Sequence, residues 1–252
     1  YWPSKYPQCA SFLHCCVSCH VKEKQVAIGH DSLSCGGFLS AMREYLTPTE
    51  TIDSDNADVR RFALETVAGK STDIDKAVAL YYRVRDLVMY DMMGEHFTRE
   101  IFKASYCLHA KRSFCIPKAI LLAACARAVG IPSRLGFADV TNHLATPKML
   151  EMLGGDYFAF HGYTDLYLDG KWVKATPAFN ERLCRFFKIK PLEFDGRHDS
   201  VFHEFSADGK KHMEYLKDHG TFADMPFDLM VATFRKHYPH WFEAGGPIAG
   251  PF

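Results

Sequence analysis

The 252-residue chain lacks an excess of charge of either sign: 30 Lys and Arg balance 30 Asp and Glu, for a formal net charge of +0. That balance supplies no electrostatic attraction for nucleic acid or an anionic bilayer, so neither is expected as a partner. No apolar run is long enough to span a membrane. The first residues lack the apolar core of a secretory signal, which leads us to expect a cytoplasmic protein. Nor is there an EF-hand loop, an internal repeat or a low-complexity segment, and no cofactor is expected. Cysteine is plentiful only at the start, where Cys9, Cys15, Cys16, Cys19 and Cys35 stand close together. The run Cys15-Cys16-x-x-Cys19-His20 has the spacing of half a zinc knuckle, but a second pair is missing, so no metal is expected. Cys107, Cys115, Cys125 and Cys184 are scattered, as reduced thiols are.

Residues 1–41 hold no sustained helical or alternating pattern and are expected to be an extension outside the fold, with the folded domain over 42–252. From there the period is helical. Asp55 or Asn56 caps a helix over 57–68, and Asp73 caps a longer one to 89 with Ala77, Leu80, Tyr81, Val84 and Val88 as its apolar stripe. Residues 91–114 read as a loop with a short helix. A helix then opens at Cys115 and stops at Gly130-Ile131-Pro132. Strands are expected over 134–140, 157–168 and 171–175, the last two joined by the two-residue turn Asp169-Gly170, with a short helix over 147–153. A short helix over 181–187, an irregular stretch and a helix over 226–241 complete the chain. Helices followed by an antiparallel sheet give an α+β class.

The chemistry-bearing residue is Cys115, in Ser113-Phe114-Cys115-Ile116-Pro117. A cysteine in the first turn of a helix faces free backbone N–H groups and the positive end of the helix dipole. Such a thiol needs a base. His161 lies in the long strand, and alternation places it on one face with Tyr163, Asp165 and Tyr167. Counting outward from the turn pairs Leu168 with Lys171, Asp165 with Lys174 and Tyr163 with Thr176, which puts Thr176 diagonal to His161. A third group there can orient the imidazole, and Thr176, Asp165 and Asn180 are the candidates. Asn142 and His143, in the loop after the first strand, either touch substrate or cap a turn; Tyr163 is a further candidate substrate contact.

Cys115 opening a helix, then Arg127-Ala-Val-Gly130-Ile131-Pro132-Ser-Arg134, His161-Gly162-Tyr163, Asp169-Gly170-Lys171-Trp172-Val173 and Thr176-Pro177 together resemble the transglutaminase-like superfamily. The resemblance implies a papain-like α+β fold, its nucleophile helix packed on an antiparallel sheet. It implies Cys115 as nucleophile, His161 as base and acyl transfer at an amide of a protein, peptide or small molecule. The family's acid stands where this chain has Thr176, and its small residue before the cysteine is here Phe114. Those departures leave a second reading open, a non-catalytic binding module on the same fold. A third is a Cys-His enzyme acting on a small metabolite chosen by residues 91–114 and 139–156.

Overall fold

The computed structural model describes residues 42–92, 97–142, 145–201 and 213–248. The expected extension, its cysteine cluster and His143 lie outside the described residues.

Helix α1 (Ala57–Thr66) starts at Asn56, whose Oδ1 accepts from the N–H groups of Asp58 (3.0 Å) and Val59 (3.4 Å). Helix α2 (Asp73–Leu87) is capped by Thr72 rather than Asp73: the Thr72 hydroxyl accepts from the Asp75 N–H at 3.1 Å. Ile74, Ala77, Leu80, Tyr81 and Val84 form the buried stripe of α2. The expected loop over 91–114 carries a 3₁₀ turn (Arg99–Phe102) and helix α3 (Ala104–His109), and its ends are joined in a way the sequence did not signal. Strand β1 (Met89–Tyr90) pairs in parallel with β2 (Arg112–Ser113), which delivers the chain directly to Cys115.

Helix α4 (Cys115–Ala128) is buried continuously from Ile116 to Arg127. A helix apolar on all sides belongs in a core, and α4 packs against α1, α2, α3 and the sheet. The sheet has the order β5-β4-β3-β6, antiparallel throughout: β3 is Ser133–Asn142, β4 Tyr157–Leu168, β5 Lys171–Ala175 and β6 Met213–Phe222. The architecture is α+β, as expected, and Leu168 pairs with Lys171 and Asp165 with Lys174 as the turn requires. Helices α5 (Pro147–Leu153) and α6 (Glu181–Phe187) flank the sheet connections. Strand β6 occupies part of the stretch expected to be irregular. It carries Lys217, Asp218, His219 and Gly220, pairs among the described residues with β3 alone and slips register twice against it, features that erase alternation. Helix α7 (Phe227–His237) buries Phe227, Met230 and Phe234; Pro239 then turns the chain into a 3₁₀ segment (Pro239–Phe242). Among the described residues no helix is long and apolar enough to cross a membrane.

Candidate active site

Cys115 is the first residue of α4, reached from an extended Phe114 that offers no side-chain cap. The free N–H groups of a helix start therefore remain available. Those of Cys115 and Ile116 approach the sulfur, together with the N–H of Gly162 from β4. Gly162 makes that approach possible. A Cβ there would lie 3.1 Å from the Ile116 Cα and 3.2 Å from its Cγ1, so glycine lets β4 run this close to the helix start without displacing it. Phe114 faces the core, with ring centroids 5.2 Å from Phe97 and 5.9 Å from Phe102.

Cys115 keeps partial exposure, whereas Cys107, Cys125 and Cys184 are buried. Its surroundings are nonetheless low in polarity. Burial raises the Cys115 pKa to about 11, against the opposing pull of the three N–H groups and of Lys118. His161, opposite Ala138 in the β3–β4 ladder, is buried as well, and burial alone brings its pKa down to about 4. At neutral pH the resting pair is thus a thiol and a neutral imidazole. The two residues line one cavity of about 20 Å³ with Tyr90, Met92, Phe158 and Tyr238. Among the described residues no hydrogen bond joins them. A larger apolar cavity of about 190 Å³ adjoins it, sharing Tyr90 and Met92 and reaching Asn142, Met149, Phe179 and Leu183.

The candidate orienting groups each have other partners. The Thr176 hydroxyl donates to the Val201 carbonyl at 2.7 Å, and the Thr176 N–H donates to Ser200 at 2.8 Å. Asp165 accepts from Arg134 Nε at 2.9 Å and Nη2 at 2.8 Å, and the Arg134 guanidinium lies 4.0 Å from the Trp172 ring. Asn180 Oδ1 accepts from the Tyr90 N–H at 3.2 Å, tying the segment after β5 to β1. Asn142 borders the larger cavity, and its backbone closes a turn with Asp156 and Ala145. Tyr163 lies across Gly136 on the other side of the ladder, where a Cβ on Gly136 would overlap its ring.

Sequence reasoning missed Tyr90 and Met92, which the parallel β1–β2 pair brings to the cysteine, and Lys118, one turn along α4 from it. Lys118 is fully buried and donates to three carbonyls, Arg85 at 2.9 Å, Val88 at 2.7 Å and Ala178 at 2.8 Å. The glycine after His161 was the one available signal of close packing at this point.

Residues 60–177 match the family model described as Transglutaminase-like superfamily. No curated protein matches the chain. Among solved structures, a "putative cysteine protease" from Cytophaga hutchinsonii superposes with a TM-score of 0.44 at 14% identity, covering 72% of this chain and 54% of its own. A "putative protease" from Parabacteroides distasonis gives 0.36 at 17% identity, over 55% of this chain and 26% of that one. A structure named as a TGase gives 0.31 at 13% identity, over 58% and 34% respectively. This chain thus spans about half the length, or less, of each structure it resembles.

Proposed function

Given a transglutaminase-like domain in residues 60–177, we propose that this chain is a thiol-dependent acyl-transfer enzyme with Cys115 as nucleophile and His161 as its base. The observation that carries this reading is the shared cavity: a partly exposed cysteine at a helix start and a buried histidine line it together, with Gly162 N–H against the sulfur. The Cys115 sulfur attacks an amide carbon while its proton passes to His161. The backbone N–H of Cys115 donates to the oxyanion. His161 returns the proton to the departing amine, leaving a thioester that water or a second amine resolves. The adjoining apolar cavity suits a nonpolar side chain of a protein, peptide or small amide substrate. A cytoplasmic setting fits the scattered free thiols.

Thr176 favours a second reading, a binding module without turnover, because its hydroxyl is committed to Val201 and among the described residues no carboxylate takes its place. Iodoacetamide labelling with the modified cysteine located by mass spectrometry separates the two. As base, His161 must be neutral, so labelling of Cys115 rises as pH passes about 4, holds level, and rises again towards about 11 as the thiol itself ionises. His161→Ala removes the lower step and slows labelling at neutral pH by about 10²-fold. Labelling that ignores His161 and climbs only with thiol ionisation leaves the binding module standing.

A further inference from the structure

The sheet is irregular immediately before His161. In the β3–β4 ladder Ala138 pairs with His161 and Val140 with Phe158, so Ala159 and Phe160 together face the single residue Asp139. This is a β-bulge with the extra residue on β4. Phe160 takes φ 60°, the left-handed region that such a bulge ordinarily gives to glycine. Two side chains hold the distorted backbone. The Tyr238 hydroxyl accepts from the Ala159 N–H at 2.6 Å and donates to the Tyr157 carbonyl at 2.8 Å. Asp139 Oδ1 accepts from the Phe160 N–H at 2.9 Å.

Asp139 is itself almost completely buried, 1% exposed, and its two oxygens take three donors. Besides Phe160 these are the Tyr157 hydroxyl at 2.7 Å and His219 Nε2 at 2.7 Å. Burial opposes the charged carboxylate, and the three hydrogen bonds outweigh it, holding its pKa below the ordinary value. A buried ionised acid aimed at one strained N–H therefore stands one residue before the base. The Phe160 ring cannot relax by leaving, since it is fully buried and stacks on Phe137 at 4.3 Å. A change of one residue in strand count sends every following side chain to the opposite face, so the bulge decides where His161 points.

We propose that Asp139 is the positioning residue of this site: by clamping the left-handed Phe160 it fixes the bulge that presents His161 to the Cys115 cavity. The proposal rests on the Cys115–His161 reading above. It assigns the task of orienting the base to a contact with the backbone before it, where an acid would otherwise have held the imidazole from the position of Thr176.

The test compares wild type, Asp139→Ala, Asp139→Asn, His161→Ala and the Asp139→Ala/His161→Ala double variant. Ile74→Ala, a core truncation in α2, serves as the stability control. Two readouts are taken: Cys115 labelling by iodoacetamide, and the imidazole resonances of His161 by NMR across pH. Asp139→Ala slows labelling to the level of His161→Ala, about 10²-fold, and the double variant is no slower than either. The His161 resonances shift and titrate nearer the ordinary histidine range. Asp139→Asn still offers an oxygen to the Phe160 N–H and stays within about tenfold of wild type. Where Asp139→Ala does not fold, Asp139→Glu, which keeps the charge and displaces the oxygen by a methylene, takes its place with the same expectation. Unchanged His161 resonances in the Asp139 variants overturn the proposal, as does equal slowing by Ile74→Ala. If labelling ignores His161 in wild type while the Asp139 variants still move its resonances, the enzymatic reading falls and the positioning role stands.

Discussion

At the level of single residues, the site depends most on an absence of side chain. Gly162 lets β4 lie against the first turn of α4, and its N–H reaches the Cys115 sulfur because nothing stands between the two backbones. Histidine attracts attention in a sequence, whereas the glycine that follows it sets the distance. Gly162→Val places branched carbon where the Ile116 Cα already lies 3.1 Å from a bare Cβ. Overpacking of that kind costs about 1–3 kcal/mol, and the helix start is the part free to yield. We expect a lower denaturant midpoint together with slower Cys115 labelling, with Gly162→Ala intermediate on both. A variant that loses stability while labelling at the wild-type rate would separate glycine's packing role from any influence on the sulfur.

At the level of elements, the legible parts of this fold were those with local punctuation. Asp55 or Asn56 announced α1, and Asn56 is the cap; Asp169-Gly170 fixed the β4–β5 register, and Gly130 with Pro132 ended α4. Strand β6 was illegible because a charged strand with two register shifts has no period to read. The bulge at Phe160 was hidden for a related reason: residues 157–168 read as one continuous strand, and no glycine marks the left-handed residue. Cys115 and His161 were named from residue types and line one cavity, whereas Asp139 and Lys118 bond to backbone atoms that a sequence does not display. Lys118 binds α4 to the C-terminal carbonyls of α2 and to Ala178, the residue after Thr176-Pro177. An ammonium at a helix C-terminus is favourable, and burial is its cost, bringing the Lys118 pKa down to about 7. Lys118→Met fits the space but strands three carbonyl groups. We expect it to lower unfolding free energy by about 3 kcal/mol. The three segments around the cavity should also gain amide hydrogen exchange. Unchanged stability would mean water replaces the ammonium and Lys118 is no tie.

Across the whole molecule, burying a neutral base makes the fold sensitive to acid in a defined window. His161 takes up its proton near 6.5 in the unfolded chain and only near 4 in the folded one. Between those values the unfolded state binds more protons, so stability falls as pH falls, and below the lower value the loss is complete. A depression of that size amounts to about 3 kcal/mol, a large share of the stability of an ordinary domain. Asp139 acts in the same direction further down, since a carboxylate held below 3.8 loses its stabilising contacts as it is protonated. Asp165 acts oppositely: burial raises its pKa despite Arg134, so its protonation in acid favours the folded state. The His161 window lies above that of Asp139, and the shifts of Asp165 and His237 are shared by wild type and a His161 variant, so they cancel when the two are compared. Urea unfolding at pH 7, 5.5 and 4 should show wild type losing about 3 kcal/mol across the series. His161→Gln, which keeps a polar side chain but binds no proton, should lose little until the carboxylates titrate. Equal losses in both proteins would mean that His161 is already solvated in the resting fold. The lower step expected in Cys115 labelling would then move up toward 6.5, so the stability series and the labelling profile test the same buried imidazole from two directions.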